Sequence, residues 1–207
     1  MTSAVIAPDR RAELKARHRL AIIDAADSLI RERGEARFSV DELAERADVS
    51  RRTVFNHFSS LDDVVMTTCA RVLSDVIDEF RAESAATPAA DGSRVTLFAD
   101  ITTVLRHIDL PTVIAYLCGV LGTGGDAHHA MNDIFIRATD QLTLEISGRA
   151  SEIDDFEAAV LVSSLINGLA VTSAHWIAQT GAGLDDASRA VWAELLDRLI
   201  ETIRRGY

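Results

Sequence analysis

Residues 38–58 read FSVDELAERADVSRRTVFNHF. Ser39 and Glu42 stand three apart, the spacing of a capping box in which each side chain satisfies the other residue's backbone N–H. They open a short helix that runs through Ala47. Asp48 falls where the chain must turn, and aspartate tolerates left-handed backbone better than most residues. Ser50 then caps another helix beginning at Arg51. Only Asp48 and Val49 separate the first helix from that cap, and two short helices joined so tightly form a helix-turn-helix. Val40, Leu43, Ala44, Ala47, Val49, Val54 and Phe58 make one apolar set, with Ala44 small where the helices cross. The outward set is Arg51, Arg52, Thr53, Asn56 and His57. In a DNA major groove arginine pairs with guanine and asparagine with adenine, so this face suits base edges. The competing reading is an ordinary charged surface helix.

Outward from this motif the pattern stays helical. Toward the N-terminus, Ile22, Ile23, Ala26, Leu29 and Ile30 recur at helical spacing and Gly34 follows as a C-terminal stop, predicting a helix from about 11 to 33. Toward the C-terminus, helices are predicted over 61–83, 93–106, 111–120, 127–148, 154–179 and 187–204. The expected breaks are SAATPAADGS (84–93), HIDLP, GTGGD and TGAG. Ser59 or Ser60 is expected to cap the helix at 61, and Asp185 or Asp186 the last one. No strand-type alternation or repeat stands out. The expectation is an all-α chain: a three-helix helix-turn-helix domain over 1–60 and a helical domain over 61–207.

Charge separates the two parts. The 207 residues carry a formal net charge of −11, yet residues 1–60 hold 11 basic and 10 acidic side chains while the rest hold 10 and 22. Arg10, Arg11, Lys15, Arg17 and Arg19 crowd into ten positions. An acidic body with a locally basic end is compatible with nucleic-acid contact through that end alone. Cys69 and Cys118 lack metal spacing and read as two buried free thiols in a reducing compartment. No apolar secretory segment is visible near Met1, and a cytoplasmic location is expected. Residues 158–178, AAVLVSSLINGLAVTSAHWIA, hold no charge over 21 positions. Such a run has the length of a membrane span. Six polar interruptions and the lack of a flanking basic cluster favour a helix buried on several faces, so no membrane association is expected.

Other chemistry is weak. His128 and His129 with Asp126 and Asp133 suggest a metal, but adjacent histidines on a helix point about 100° apart. No metal or cofactor is expected. The glycines of GVLGTGG (119–125) do not follow a strand, as a phosphate-cradling loop requires. No serine–histidine–acid spacing or paired-carboxylate motif is evident, and no enzymatic activity is expected.

The motifs IIDAADSLIRERG (22–34), FSVDELAERADVSRRTVFNHF (38–58) and SSLDDVV (59–65) resemble the TetR family of bacterial transcriptional regulators. The resemblance implies a homodimer bound to a two-fold DNA operator, usually a repressor released by a small ligand. The alternative is a regulator of the same fold without a small ligand, partner-controlled or activating. Carried over by position, Arg51, Arg52, Thr53 and Asn56 face bases. Ser39, Ser50 and His57 hold phosphates, and Lys15 or Arg17 reaches the backbone or adjacent groove. Asp48 departs from the family's usual turn glycine, Phe55 from a common phosphate-contacting tyrosine, and Leu61 from a common lysine.

The family implies an effector pocket, for which polar groups on apolar helices are candidates: His107, Tyr116, Asn132, Asn167, Thr172, His175 and Trp176. The family's last two long helices usually dimerise. Here the uncharged helix and the apolar positions of the last one predict a four-helix interface through Leu165, Leu169, Val191, Leu195 and Leu199.

Overall fold

The computed structural model describes residues 10–86, 93–122, 136, 139–140, 142–144 and 154–206. Among them every regular element is helical. Contacts divide the chain into two compact units, Met1–Cys69 and Ala70–Tyr207.

In the first unit, α1 (Arg10–Arg33) buries Ile22, Ile23, Ala25, Ala26, Leu29 and Ile30. It stops where Gly34 takes φ +72°, a conformation that costs glycine nothing. α2 (Val40–Arg46) opens with the expected capping box: the Glu42 N–H donates to Ser39 Oγ at 3.2 Å, and the Ser39 N–H to Glu42 Oε2 at 2.7 Å. Asp48 makes the turn with φ +51°. α3 (Arg51–His57) is capped by Ser50, whose Oγ accepts from the Thr53 N–H at 3.1 Å. All seven residues of the apolar set join one core with α1 and with Val64 of α4. α4 (Leu61–Ala86) starts at Ser60, which accepts from the Asp63 N–H at 3.1 Å, and it runs through the division between the units.

The second unit contains the rest of α4, then α5 (Arg94–His107), α6 (Leu110–Leu121), α7 (Asp155–Thr180) and α8 (Asp186–Arg205). Ser93, Asp109, Asp154 and Asp185 cap α5 to α8 in order. Ile77 and Phe80 of α4 share a core with Leu97, Ile101 and Val104 of α5 and with Ala158, Val162 and Leu165 of α7. α7 and α8 pack along a seam in which Trp176 is fully buried, its ring edge-to-face with Trp192 at 5.8 Å.

Beyond single-residue shifts at other helix ends, two of the expected breaks differ. The break expected from Ser84 does not begin there, because Ser84–Ala86 continue α4: serine and alanine carry no helix-breaking geometry. The separator HIDLP shrinks to Ile108 and Asp109, since Pro111 occupies the first turn of α6, where a missing N–H is harmless. The helix predicted over 127–148 lies mostly outside the described residues, although 136, 139–140 and 142–144 are helical. The His128, His129, Asp126 and Asp133 group lies outside them too. α7 is long and apolar enough to cross a membrane by length and composition. Its buried face, however, is taken up by α5 and by α8.

Candidate nucleic-acid interface and ligand groove

α3 rests on its buried Val54 and turns its other faces outward. Arg51, Arg52 and Asn56 are exposed, and Thr53 and His57 are half-buried. The five do not stand alike. Arg51 Nε lies 3.2 Å from Asp41 Oδ1, and both side chains are well exposed, so the pair is weak and easily exchanged. Thr53 Oγ1 sits 2.8 Å from Ser50 Oγ, so the two hydroxyls share one hydrogen bond beside the cap. Arg52 and Asn56 are one helical turn apart and make no hydrogen bond or ion pair among the described residues. They are presented as empty donors at the outer surface.

Ser39 and Ser50 are both engaged as N-caps, though an oxygen that accepts one N–H can still donate its own proton to a phosphate. On α1, Lys15 and Arg17 are exposed. They are two residues apart, about 200° around the helix, and so face different ways. Lys15 shares its face with His18 and Arg19, which adjoin the end of α3. Arg19 Nη1 donates to the His57 carbonyl at 3.2 Å, and its guanidinium carbon lies 4.4 Å from the centre of the Phe58 ring. The His18 and His57 rings meet edge-to-face at 6.3 Å. Burial first, then the charges of Lys15, His18 and Arg19, hold the His57 imidazole below its ordinary pKa. It is a neutral hydrogen-bonding group at pH 7.

The effector candidates do not converge. His107 is exposed at the edge of a cleft of about 340 Å³ that also holds Asp109 and Arg189. Tyr116 is half-buried on α6, and Asn132 lies outside the described residues. Asn167 is exposed and donates its amide to the Ser163 carbonyl at 2.8 Å. His175 is exposed and Thr172 buried. Trp176 donates its indole N–H to the Ser188 carbonyl at 2.8 Å and is sealed in the α7–α8 seam. A different site is present. A groove of about 1030 Å³ runs between α5, α7 and α8, walled by Val95, Phe98, Phe156, Val160, Leu161 and Ile203. Its rim carries three ion pairs, Arg94–Glu157, Arg106–Asp197 and Arg204–Glu201. None of the six described candidates lines it. The signal that could have found it is Phe156 with Val160, one turn apart on a helix and 75% and 49% exposed.

The dimer candidates are used largely inside one chain. Leu165 is core at 4% exposure, and Leu169 packs on the same core. Val191 and Leu195 are half-buried, and so is Leu199, which covers Gly168 so closely that a Cβ there would lie 2.3 Å from Leu199 Cδ1. Exposed along α7 are Phe156, Val160, Asn167, Val171, Ala174 and Ala178, spaced near 3.5 residues, with Asp155 in the first turn and His175 and Gln179 beside the last ones.

Among the described residues no group of His, Cys, Asp and Glu is arranged to hold a metal. Residues 22–65 match the family described as bacterial regulatory proteins, tetR family, so the TetR resemblance read from the sequence holds. Compared with curated proteins by sequence, the chain has no match. Its fold is that of TetR-family transcriptional regulators. One from Mesorhizobium loti aligns at TM-score 0.61 and 16% identity over 90% of this chain and 95% of its own. A transcriptional regulator from Streptomyces coelicolor aligns at 0.59 and 20% over 90% and 99%. The repressor AlkX from Dietzia, implicated in n-alkane biodegradation, aligns at 0.54 and 17% over 89% and 96%.

Proposed function

We propose that this chain is a homodimeric transcriptional regulator, not an enzyme, that represses from a palindromic operator until a small molecule releases it. Residues 1–60 read DNA in the cytoplasm, and 61–207 dimerise and sense the effector. The observation that carries this reading is α3 itself. A seven-residue helix, held from behind by Val54 and at its start by Ser50, presents Arg52 and Asn56 with no partner among the described residues. Those donors match the guanine and adenine edges of the major groove.

The effector site is the groove of α5, α7 and α8. Its apolar walls and balanced rim suit an uncharged, largely apolar molecule oriented by a few hydrogen bonds. Such a molecule acts only through different affinities for two conformations: it favours the one that cannot grip DNA, and operator affinity falls by the same coupling free energy. α4, continuous through the division between units, is the element that can carry the change.

Selection of bound duplexes from a random library tests the reading. Recovery of an inverted repeat supports a dimeric reader. Recovery of no preferred sequence would sink it.

A further inference from the structure

At the end of α3 the protein gathers like charges. Lys15, His18 and Arg19 occupy positions i, i+3 and i+4 of α1 and therefore share one face. His57 joins them from α3, its ring 6.3 Å from that of His18. Arg19 is fixed by two contacts, its hydrogen bond to the His57 carbonyl and its stacking on Phe58. The carboxylate facing this group is Asp63 of α4, which feels the charge of Arg19 but is held by the N–H and hydroxyl of Ser59 at 2.8 and 3.0 Å. Lys15 makes no ion pair among the described residues. Among the described residues, Lys15 and Arg19 thus stand with two imidazoles and with Asp63, a carboxylate that is already engaged. In the free protein this arrangement is repulsive, and an anion relieves it.

We propose that Lys15, His18, Arg19 and His57 form one seat for a DNA phosphate, and that filling it adds a proton to His57. The inference rests on the DNA-binding reading and adds to it a residue, His18, and a control, pH. His57 directly follows Asn56, so a duplex read by Arg52 and Asn56 carries its backbone past the end of α3. The sign follows from the charges. Before binding, burial first and then the neighbouring cations oppose protonation of His57, and it is the second of these that an anion offsets. A phosphodiester anion within about 4–6 Å favours it. The complex therefore holds more protons than its parts, and binding tightens as pH falls.

The test uses the full chain and a random-sequence duplex, because a phosphate seat needs no operator. Affinity is measured by fluorescence anisotropy at constant ionic strength between pH of about 7.5 and 5.5, the range in which an imidazole titrates. Wild type is expected to tighten about tenfold across it, and His18→Gln/His57→Gln to lose most of that gain. Arg52→Ala is expected to keep it. Calorimetry of the wild type in buffers of different ionisation enthalpy measures proton uptake directly, so the decision does not depend on the double variant folding. If wild type binds the duplex with no proton uptake, or both proteins share one pH slope, the inference is overturned while DNA binding stands. If wild type binds no duplex at any pH, the DNA-binding reading fails and takes this inference with it.

Discussion

Losing Arg52 and losing Lys15 should weaken DNA binding in different ways. A bidentate base contact is worth about 1–3 kcal/mol against the wrong base, so Arg52→Ala and Asn56→Ala should cost that much on the selected operator and little on scrambled DNA. Lys15→Ala should weaken both and flatten the salt dependence by about one unit. Titration against the two DNAs at several salt concentrations separates the classes, and unchanged discrimination in Arg52→Ala would mean that α3 is not the reader. At the turn, Asp48 holds φ +51°, where a Cβ is unfavourable and glycine is not. Asp48→Gly should therefore raise stability by about 0.5–1 kcal/mol in urea titration, and a loss would mean that the aspartate makes a compensating contact. Glu42 titrates near 2, lowered first by the Ser39 N–H and then by Arg33. A depressed carboxylate stabilises the fold above its ordinary value of 4.5 and loses that effect as pH falls toward about 2. Glu42→Gln should accordingly flatten the fall of melting temperature across that window. The cap, the turn and the outward face of α3 were legible in sequence because each depends on neighbours three or four positions away. His18 was not. Its partner is 39 positions along the chain, and only the packing of α1 on α3 brings the two rings together.

Among the elements, the caps and periodicities placed the helices, but which helix covers which could not be read from any one of them. Trp176 and Thr172 looked like pocket residues because they are a polar-edged aromatic and a hydroxyl on an uncharged helix. Trp176 instead satisfies its N–H on Ser188, one helix away, and is closed off by Trp192. The groove was missed for the converse reason. Arg94 and Arg106 are 63 and 91 positions from Glu157 and Asp197, and only the fold pairs them at the groove's rim, whereas Arg204 pairs locally with Glu201. The α7–α8 seam gives a test of its own. A methyl at Gly168 would come within 2.3 Å of Leu199 Cδ1 and 3.2 Å of Cγ, so Leu199 must move. Overpacking costs about 1–3 kcal/mol, partly offset by the roughly 1 kcal/mol gain of alanine over glycine in a helix. Gly168→Ala should destabilise by about 1 kcal/mol net, and Leu199→Ala in the same chain should make the two changes less costly than their sum. Strict additivity in urea melts would show that the two residues do not press on each other.

For the molecule as a whole, the decisive surface is the outer face of α7. Val171 is 59% exposed and Val160 49%, and with Asn167, Ala174 and Ala178 they form a stripe along the helix, with the exposed His175 beside it. Leu165 and Leu199, which sequence pattern suggested for self-association, are spent on the chain's own core and on Gly168. The two sets call for opposite experiments. A charge at Leu165 should disrupt the fold of one chain and say nothing about assembly. A charge at Val171 leaves the single chain's core untouched, because that side chain already faces outward. If two copies meet along this stripe, Val171→Asp with Ala174→Asp buries two carboxylates without partners on each side, which the interface cannot accommodate. Sedimentation should then show one chain where wild type shows two, with the helical circular dichroism unchanged. DNA binding should fall as well. A dimer engages two half-sites at once, and separating them removes an avidity factor of about 10²–10⁴ while leaving each helix-turn-helix intact. The double variant should thus retain weak binding to a single half-site duplex and lose tight binding to the inverted repeat. A double variant that still sediments as two chains places the dimer contact on another face of the molecule.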